Sequence, residues 1–307
     1  MSPSSAFDTP VGEAAYRAVY DAALRRWPVP YEELDVPTRF GLTHVVVAGP
    51  QNAPALVLLH GYMATSVMWG PNIADFSRDH RVYAIDVMGQ PGKSIPDEPI
   101  RCASDYVTWL TAMLDGLNLY RVSLVGMSFG GTIALRYAAA VPERVHALAL
   151  LSAGGFLPMA KEFRVRASLM VFAPTRFTVA SFMRWAGITG ETAQPVLDLT
   201  YLGLKHFRMS KETMRADGDA ATPLSDSALR SLYMPVLLLF GDGEVIYDPS
   251  KALNRARMLI PDVKGSLIPN CRHDMCLRQS RIVDARVVEF LKKTGPRHAD
   301  DEQRSIA

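Results

Sequence analysis

The sequence feature that most constrains the fold is a repeated alternation of short apolar runs with longer stretches of helical pattern. The runs predict strands over residues 55–60, 81–86, 121–126, 145–152, 235–241 and 264–269. The stretches around them predict helices near residues 66–79, 103–117, 129–141, 249–260 and 279–293. Continuous apolar strands that alternate with helices are typical of a parallel sheet with helices on both faces. We therefore expect an α/β fold built on a mostly parallel, twisted sheet.

Two elements are predicted before this alternation begins. Residues 12–27 have the periodicity of an amphipathic helix within an N-terminal helical extension over residues 1–30. Its apolar face is expected to comprise Ala15, Val19, Ala22, Ala23 and Trp27. Residues 38–49 predict a hairpin that turns at Gly41.

The alternation is interrupted from residue 156 to residue 232, where no strand pattern is found. This segment is rich in aromatic and methionine side chains, which suit an adaptable apolar surface. An insertion at the carboxyl edge of such a sheet lies over the usual ligand crevice. We expect a helical cap over 156–232 on a core formed by 1–155 and 233–307, with residues 295–307 as a flexible tail.

Composition excludes several classes of protein. The 33 Lys and Arg residues nearly balance the 31 Asp and Glu residues and are scattered, which argues against nucleic acid as a partner. No apolar run approaches the roughly 18 residues that suggest a membrane span, and the first residues lack the apolar core of a signal peptide. Three cysteines form no disulfide framework. We expect a soluble, cytoplasmic protein without membrane contact, whose oligomeric state, monomer or homodimer, stays open.

A glycine-rich pentapeptide joins one predicted strand to the helix that follows it. Gly126-Met127-Ser128-Phe129-Gly130 places a serine at a very sharp turn. The residues two before and two after the serine then approach closely, so only small side chains fit there. The strained turn is expected to lift the Ser128 hydroxyl out of the sheet, at the N-terminus of the helix. A phosphate-binding turn is the alternative, but no Lys follows as in a P-loop and G-x-G-x-x-G is missing.

A serine hydroxyl is a poor nucleophile, so it needs a base and a carboxylate that orients the base. At a turn of this kind the chain order is serine, acid, histidine. His273 and His298 follow a plausible acid, and His273 is favoured because its loop comes directly after the last predicted strand. A metal site at Cys271, His273 and Cys276 would have too few ligands, so no metal is expected.

The acid is expected in the loop after the strand over 235–241. Asp242, Glu244 and Asp248 all compete for this role. Glu244 is favoured because a carboxylate three residues past the strand is where this loop usually turns back toward the histidine. Asp248 precedes a proline and would suit a helix N-cap.

An oxyanion formed at the serine would need hydrogen-bond donors. One is expected to be the backbone N–H of Phe129, and the second that of Tyr62, with Met63 as the alternative. Gly61 would give this loop the freedom to aim the amide. His60 is expected to hold the loop by hydrogen bonding and not to act as a catalyst.

Taken together, these motifs resemble an α/β-hydrolase over the whole chain: His60-Gly61 after a strand, D-x-x-G at Asp86 and Gly89, G-x-S-x-G, an acidic loop and a late histidine. Within that superfamily the chain resembles bacterial carboxylesterases that cleave arylpropionate (profen-type) esters. The stretches that carry this resemblance are TRFGLTHVVVAGPQNAPALVLLHG, MWGPNIADFS, KSIP, PERV and GEVIYDPSKALNRA.

The resemblance implies that Ser128, Glu244 and His273 form a triad and that a helical cap shapes the acyl pocket. We expect Met63, Met127, Phe156 and Met159 to line that pocket. Met127 and Phe129 flank the serine where smaller aliphatic residues are common in the family, and Tyr62 and Met63 are bulkier than is usual there.

The expected function is hydrolysis of small to medium hydrophobic esters through a serine acyl-enzyme, with no cofactor. The same triad could serve C–C bond hydrolysis, perhydrolysis or lactone opening, which a more polar pocket would favour. An idle ligand-binding homologue is the alternative from another class. Haloalkane dehalogenases and epoxide hydrolases need an aspartate nucleophile, and position 128 is serine.

Overall fold

A computed structural model describes residues 6–294 of the chain. The predicted tail over 295–307, which includes His298, lies outside the described residues, as do residues 1–5 of the predicted extension. The strands are β1 Tyr31–Thr38, β2 Gly41–Ala48, β3 Ala55–Leu59, β4 Arg81–Ile85, β5 Ile95–Pro96, β6 Val122–Met127, β7 Val145–Leu151, β8 Val236–Gly241 and β9 Val263–Ile268.

The helices alternate with these strands and also fill the long interruption. They are α1 Pro10–Leu24, α2 Ile73–Phe76, α3 Ala103–Gly116, α4 Phe129–Ala140, α5 Lys161–Phe172, α6 Arg176–Trp185, α7 Gln194–His206, α8 Lys211–Ala220, α9 Asp226–Arg230, α10 Pro249–Leu259, α11 Met275–Arg278 and α12 Ser280–Thr294. Short 3₁₀ turns occupy Ser66–Trp69, Pro142–Arg144 and Glu191–Ala193.

All of the described strands join one sheet in the order β1-β2-β4-β3-β6-β7-β8-β9, with β5 paired to β2. Along the sheet, neighbouring strands in the stretch β4-β3-β6-β7-β8-β9 are parallel. Strand β2 runs antiparallel to β1, β4 and β5. The six strands predicted from apolar runs are β3, β4, β6, β7, β8 and β9, each within one residue of its predicted ends. The prediction of a mostly parallel sheet is therefore confirmed.

Two apolar layers cover the sheet because alternate residues of each strand point to opposite faces. In β3, Val57 and Leu59 belong to the layer that includes α3 and α4. Leu56 and Leu58 belong to the layer that includes α1 and α12. A fully buried aliphatic side chain contributes about 1.5–3 kcal/mol to stability, so a strand that is apolar at every position stabilises both layers.

The N-terminal predictions need correction. The hairpin turns at residues 39–40, not at Gly41, and its first strand is β1, which precedes the predicted range. Most of β1 is exposed at the sheet edge, so its sequence lacks an apolar signal. Helix α1 is present, and its predicted face is only partly right: Trp27 is buried, and Val19 and Ala23 are half-buried against the same apolar layer. The buried positions are Gly12, Tyr16, Tyr20 and Leu24, one turn apart, while Ala15 and Ala22 are exposed.

Two other features bear on the predicted helices. The helix predicted over 66–79 is replaced by the 3₁₀ turn Ser66–Trp69 and the four-residue helix α2. Between residues 156 and 232 the secondary structure comprises α5 to α9 and one 3₁₀ turn, without a strand in this fully described segment. The division of the chain into a core and a cap remains a prediction.

Candidate active site

The turn between β6 and α4 holds Ser128 in an unusual backbone conformation. Its φ is 53° and its ψ is −116°, and α4 begins at the next residue. A positive φ is uncommon for a residue with a side chain and costs free energy that the surrounding structure must offset. The Ser128 N–H donates to Leu151 O at 2.9 Å, and its carbonyl accepts from Thr132 N at 3.0 Å. These bonds to β7 and α4 hold the turn.

Glycines flank this turn because the chain passes very close to itself. A Cβ on Gly126 would lie 2.5 Å from Gly131 Cα, and one on Gly130 would lie 2.3 Å from Leu59 O. Both contacts are with backbone atoms, which have little room to move. The steric reason predicted from the sequence is therefore present at both glycines.

His273 lies in the loop after β9, within reach of the serine. Its Nε2 is 2.8 Å from Ser128 Oγ, although 145 residues separate the two in sequence. The His273 N–H donates to Ala186 O at 3.0 Å, at the end of α6. The histidine is thus held both by the sheet-edge loop and by a helix of the predicted cap.

Glu244 completes a line of hydrogen bonds. Its Oε1 is 2.8 Å from His273 Nδ1 and also accepts from the backbone N–H groups of Val245 at 2.7 Å and Ile246 at 3.0 Å. Its side chain is completely buried. Because a carboxylate only accepts, Nδ1 carries the proton, and the neutral ring presents Nε2 as the acceptor for the Ser128 O–H.

Glu244 and His273 shift each other's pKa in opposite directions. Burial alone would lower the pKa of His273, but the charge and hydrogen bond of Glu244 outweigh it, and the pKa is raised. Burial would raise the pKa of Glu244, but the adjacent imidazole outweighs it, and that pKa is lowered. The carboxylate therefore stays charged and the histidine binds a proton more readily than a free imidazole does.

The two competing carboxylates are placed elsewhere. Asp248 caps α10 by accepting from Lys251 N at 3.0 Å. Asp242 accepts from the backbone of Asn270 at 3.1 Å and of Cys271 at 3.3 Å. Asp242 thus shapes the loop that carries His273 without reaching its ring, so Glu244 is the carboxylate that the structure brings to the histidine.

The loop after β3 lies beside the serine. The Met63 N–H donates to Gln90 Oε1 at 3.2 Å, and Met63 has a φ of 58°. Within residues 6–294, the amides of Tyr62 and Phe129 have no hydrogen-bond acceptor. The Met63 N–H, the alternative donor, is therefore already hydrogen-bonded. The N–H groups of Tyr62 and Phe129, which the sequence analysis favoured, remain available to an oxyanion.

His60 links two loops at this edge of the sheet. Its Nε2 accepts from Val87 N at 2.9 Å, so Nδ1 carries the proton and donates to Gly61 O at 2.8 Å. Burial lowers the pKa of His60, which keeps the ring neutral. These contacts fit a residue that holds the loop, as expected.

A cavity of about 480 Å³ opens at Ser128 and His273 and extends under α5 to α8. Met127 and Met159 line it as predicted, together with Phe163, whose ring lies 6.1 Å from that of His273. Two predicted pocket residues are wrong. Met63 is not part of the lining and is buried in the loop after β3. Phe156 is fully buried in the core against Phe240.

One buried polar group at this cavity is not predicted by the sequence pattern. Asp217, on α8, is buried and accepts hydrogen bonds from Gln90 Nε2 at 2.9 Å and from the Tyr106 hydroxyl. Burial raises the pKa of Asp217 to about 7, against the opposing effect of those two donors. A carboxylate in an otherwise polar helix looks like a solvent-exposed residue, so only the packing reveals it.

Residues 6–294 contain neither a cluster suited to a metal ion nor a helix suited to a membrane. In that range no group of three or more His, Cys, Asp or Glu side chains is placed to hold a metal ion. Cys271 and Cys276 are free and buried. None of the helices in the same range combines the length and apolar character that crossing a membrane requires.

Comparison with known proteins places the chain in a family. A family model for the α/β-hydrolase fold matches residues 54–178. The chain is 36% identical over 277 residues to the uncharacterized carboxylesterase nap of Bacillus subtilis, a match that spans 90% of this chain and 91% of that protein. It is 33% identical to carboxylesterase YbfK of the same organism, over 89% of this chain and 92% of that protein.

A solved structure agrees with these relatives. The crystal structure of naproxen esterase (carboxylesterase NP) from Bacillus subtilis superposes with a TM-score of 0.85 at 34% identity, over 92% of this chain and 99% of that one. The resemblance to arylpropionate esterases that the sequence suggested is therefore confirmed. The chain belongs to the α/β-hydrolase family.

Proposed function

We propose that this protein is a carboxylic ester hydrolase that acts through an acyl-enzyme on Ser128. The observation that carries the proposal is the unbroken line from Ser128 Oγ through His273 to Glu244, with both links at 2.8 Å, at the end of an apolar cavity. The carboxylesterase names of its relatives at 33–36% identity agree with this function.

Acylation begins with proton transfer. The Ser128 O–H already donates to His273 Nε2, so the imidazole takes that proton as Oγ attacks the ester carbonyl. Glu244 stabilises the imidazolium that forms and keeps the ring oriented. The carbonyl π electrons move onto its oxygen, which becomes an oxyanion. His273 then gives the proton to the leaving alcohol as the ester C–O bond breaks.

The oxyanion is proposed to bind the backbone N–H groups of Tyr62 and Phe129. Phe129 is the first residue of α4, where the helix leaves N–H groups without partners and carries partial positive charge. Preorganised donors of this kind are each worth about 10²–10³ in kcat.

Deacylation repeats these steps with water. A water molecule gives its proton to His273 Nε2 and attacks the acyl carbon, and the proton then returns to Ser128 Oγ as the acyl–oxygen bond breaks. The products are a carboxylic acid and a regenerated serine. Every proton in the cycle passes through His273.

The substrate class follows from the cavity. Its volume of about 480 Å³ fits a small to medium acyl chain, and its walls are mostly apolar, with Met and Phe the most frequent side chains. Helices α5 to α9 are proposed to act as the cap over it. An apolar lining favours hydrophobic esters over the polar substrates of C–C bond hydrolases on the same scaffold.

The test is hydrolysis of 4-nitrophenyl butyrate by the wild type, Ser128→Ala and a control, Ser123→Ala, which lies on the strand β6 that leads into the Ser128 turn. The wild type and the control should release 4-nitrophenolate, while Ser128→Ala should fall to the rate without enzyme. Equal activity in Ser128→Ala would overturn the proposed mechanism. No activity in the wild type toward this or longer esters would favour an idle ligand-binding homologue.

A further inference from the structure

The side-chain amide of Gln90 lies between the loop beside Ser128 and the cap helix α8. Its Oε1 accepts from Met63 N at 3.2 Å, and its Nε2 donates to Asp217 Oδ2 at 2.9 Å. Gln90 is fully buried, and it lies in the loop after β4. One side chain therefore connects the backbone of the loop to a carboxylate on a different element.

The orientation of this amide is determined by its partners. A backbone N–H can only donate, so the Gln90 oxygen must face Met63 and its NH₂ group must face Asp217. An acceptor at position 217 is what holds the amide in this orientation. With an apolar residue there, the Gln90 NH₂ group would lose a buried partner and the amide could turn away.

Both carboxylate oxygens of Asp217 accept hydrogen bonds. The Tyr106 hydroxyl, on α3, donates to Oδ1 while Gln90 occupies Oδ2. Tyr106 also packs edge-on against the Phe129 ring, with 5.6 Å between centroids. Two oriented donors offset much of the cost of burying a carboxylate here.

The backbone conformation of Met63 depends on stabilisation by its neighbours. Its φ of 58° is unfavourable for a residue with a side chain, so neighbouring groups must stabilise it. Gln90 takes its N–H, and Thr200 Oγ1, on α7, lies 3.4 Å from its carbonyl oxygen. The peptide that carries the Met63 N–H begins at Tyr62, whose own N–H is the proposed oxyanion donor.

We infer that Asp217 and Gln90 are positioning residues which, through Met63, aim the Tyr62 N–H at the oxyanion. Asp217 fixes the Gln90 amide, Gln90 fixes the Tyr62–Met63 peptide, and that peptide sets the backbone of Tyr62. A carboxylate of the cap segment thereby controls transition-state stabilisation in the core. The catalytic part of this inference rests on the proposed function, whereas the hydrogen-bonded chain does not.

The variants are Asp217→Leu, Gln90→Leu, the double variant and Asp217→Asn, with Asp219→Leu as the control. Asp219 lies on the same helix with an exposed side chain. For 4-nitrophenyl butyrate, each Leu variant should lower kcat about 10- to 100-fold, because small displacements of a reacting geometry have effects of this size. Because Asp217 lines the cavity and Gln90 does not, the KM criterion applies to Gln90→Leu, in which KM should change by less than about threefold.

The other variants separate positioning from a general effect on folding. The double variant should be no slower than the slower single variant, because both substitutions break one chain. Asp217→Asn should stay within about threefold of the wild type, since its amide oxygen still accepts from Gln90. Asp219→Leu should not change kcat. If only one of the two Leu variants folds, it still tests the inference, because each substitution breaks the series of hydrogen bonds from Asp217 to Met63.

Hydrogen exchange of the peptide that spans residues 61–66 gives a readout independent of activity. The Met63 amide should exchange faster in both Leu variants and stay protected in Asp217→Asn and Asp219→Leu. If the wild type does not hydrolyse esters, the proposed function fails, and exchange at Met63 still decides whether the chain of bonds holds the loop. Unchanged exchange in the Leu variants, or a rise in KM without a fall in kcat in Gln90→Leu, would overturn the inference.

Discussion

Oε1 of Glu244 lies 2.8 Å from Nδ1 of His273, while Asp248, four residues later, points into the first turn of α10. Glu244→Gln should therefore lower kcat about 10²- to 10⁴-fold, because the amide cannot stabilise the imidazolium. Asp248→Asn should leave kcat unchanged and the stability nearly so, since Asn caps a helix as well as Asp does. Steady-state kinetics of both variants check this prediction. A larger loss of kcat in Asp248→Asn than in Glu244→Gln would show that Asp248, and not Glu244, is the catalytic acid.

The pH dependence of kcat/KM should follow His273. The base must be neutral, so activity is lost as the pH falls through its pKa, and Glu244 raises that pKa above the usual histidine value of about 6.5. Removing the negative charge in Glu244→Gln lowers the pKa, so the acid limb should move to lower pH while the rate falls. A pH–rate profile of both proteins measures the shift, and an acid limb at the same pH in both would show that another group titrates.

Two glycines should respond oppositely to the same substitution. Gly130→Ala would place a Cβ 2.3 Å from Leu59 O and should destabilise the protein by at least about 3 kcal/mol. Gly218→Ala, on α8, meets nothing within 4 Å and should stabilise it by about 0.4–1 kcal/mol through helix propensity. Urea unfolding of both variants gives these values. Wild-type stability in Gly130→Ala would mean that the strand-to-helix turn is looser than described.

Phe163 should set the preference for acyl length. It lines the cavity and its ring lies 6.1 Å from that of His273, so Phe163→Ala removes apolar contact near the reacting carbon. The loss of about 1.5–2 kcal/mol of apolar burial should lower kcat/KM for 4-nitrophenyl butyrate roughly tenfold. The freed volume should raise the ratio of decanoate to butyrate hydrolysis. Phe177→Ala, exposed on α6, is the control, and an unchanged ratio in Phe163→Ala would place the acyl chain elsewhere.

The sequence was sufficient to predict features that depend on burial or sterics within a short segment of the chain. The parallel strands were predictable because burial on both faces favours apolar residues at almost every position, as in β3 and β8. Ser128 and its glycines were predictable because the sharp turn tolerates only small neighbours. The order of residues along the chain favoured His273 but left Asp242, Glu244 and Asp248 in competition, and Glu244 was preferred for its spacing after the strand.

Where tertiary packing decides, the sequence was a poor guide. The buried face of α1 carries Tyr16 and Tyr20, polar-tipped side chains that a search for aliphatic residues passes over. Phe156 has the composition of a pocket residue but packs against Phe240 in the core. Asp217 looks like a surface carboxylate, and its partners Gln90 and Tyr106 come from distant parts of the chain. Contacts of such long range leave no periodic trace.

Active-site titration with a 4-nitrophenyl alkylphosphonate tests the central claim most directly, because the reagent traps the nucleophile irreversibly. The account predicts release of one equivalent of 4-nitrophenolate per protein, matching loss of esterase activity, and a phosphonyl group on the peptide that contains Ser128. Ser128→Ala should release none. Complete inactivation with the label on another residue, or ester hydrolysis that survives full labelling of Ser128, would contradict an acyl-enzyme at this serine.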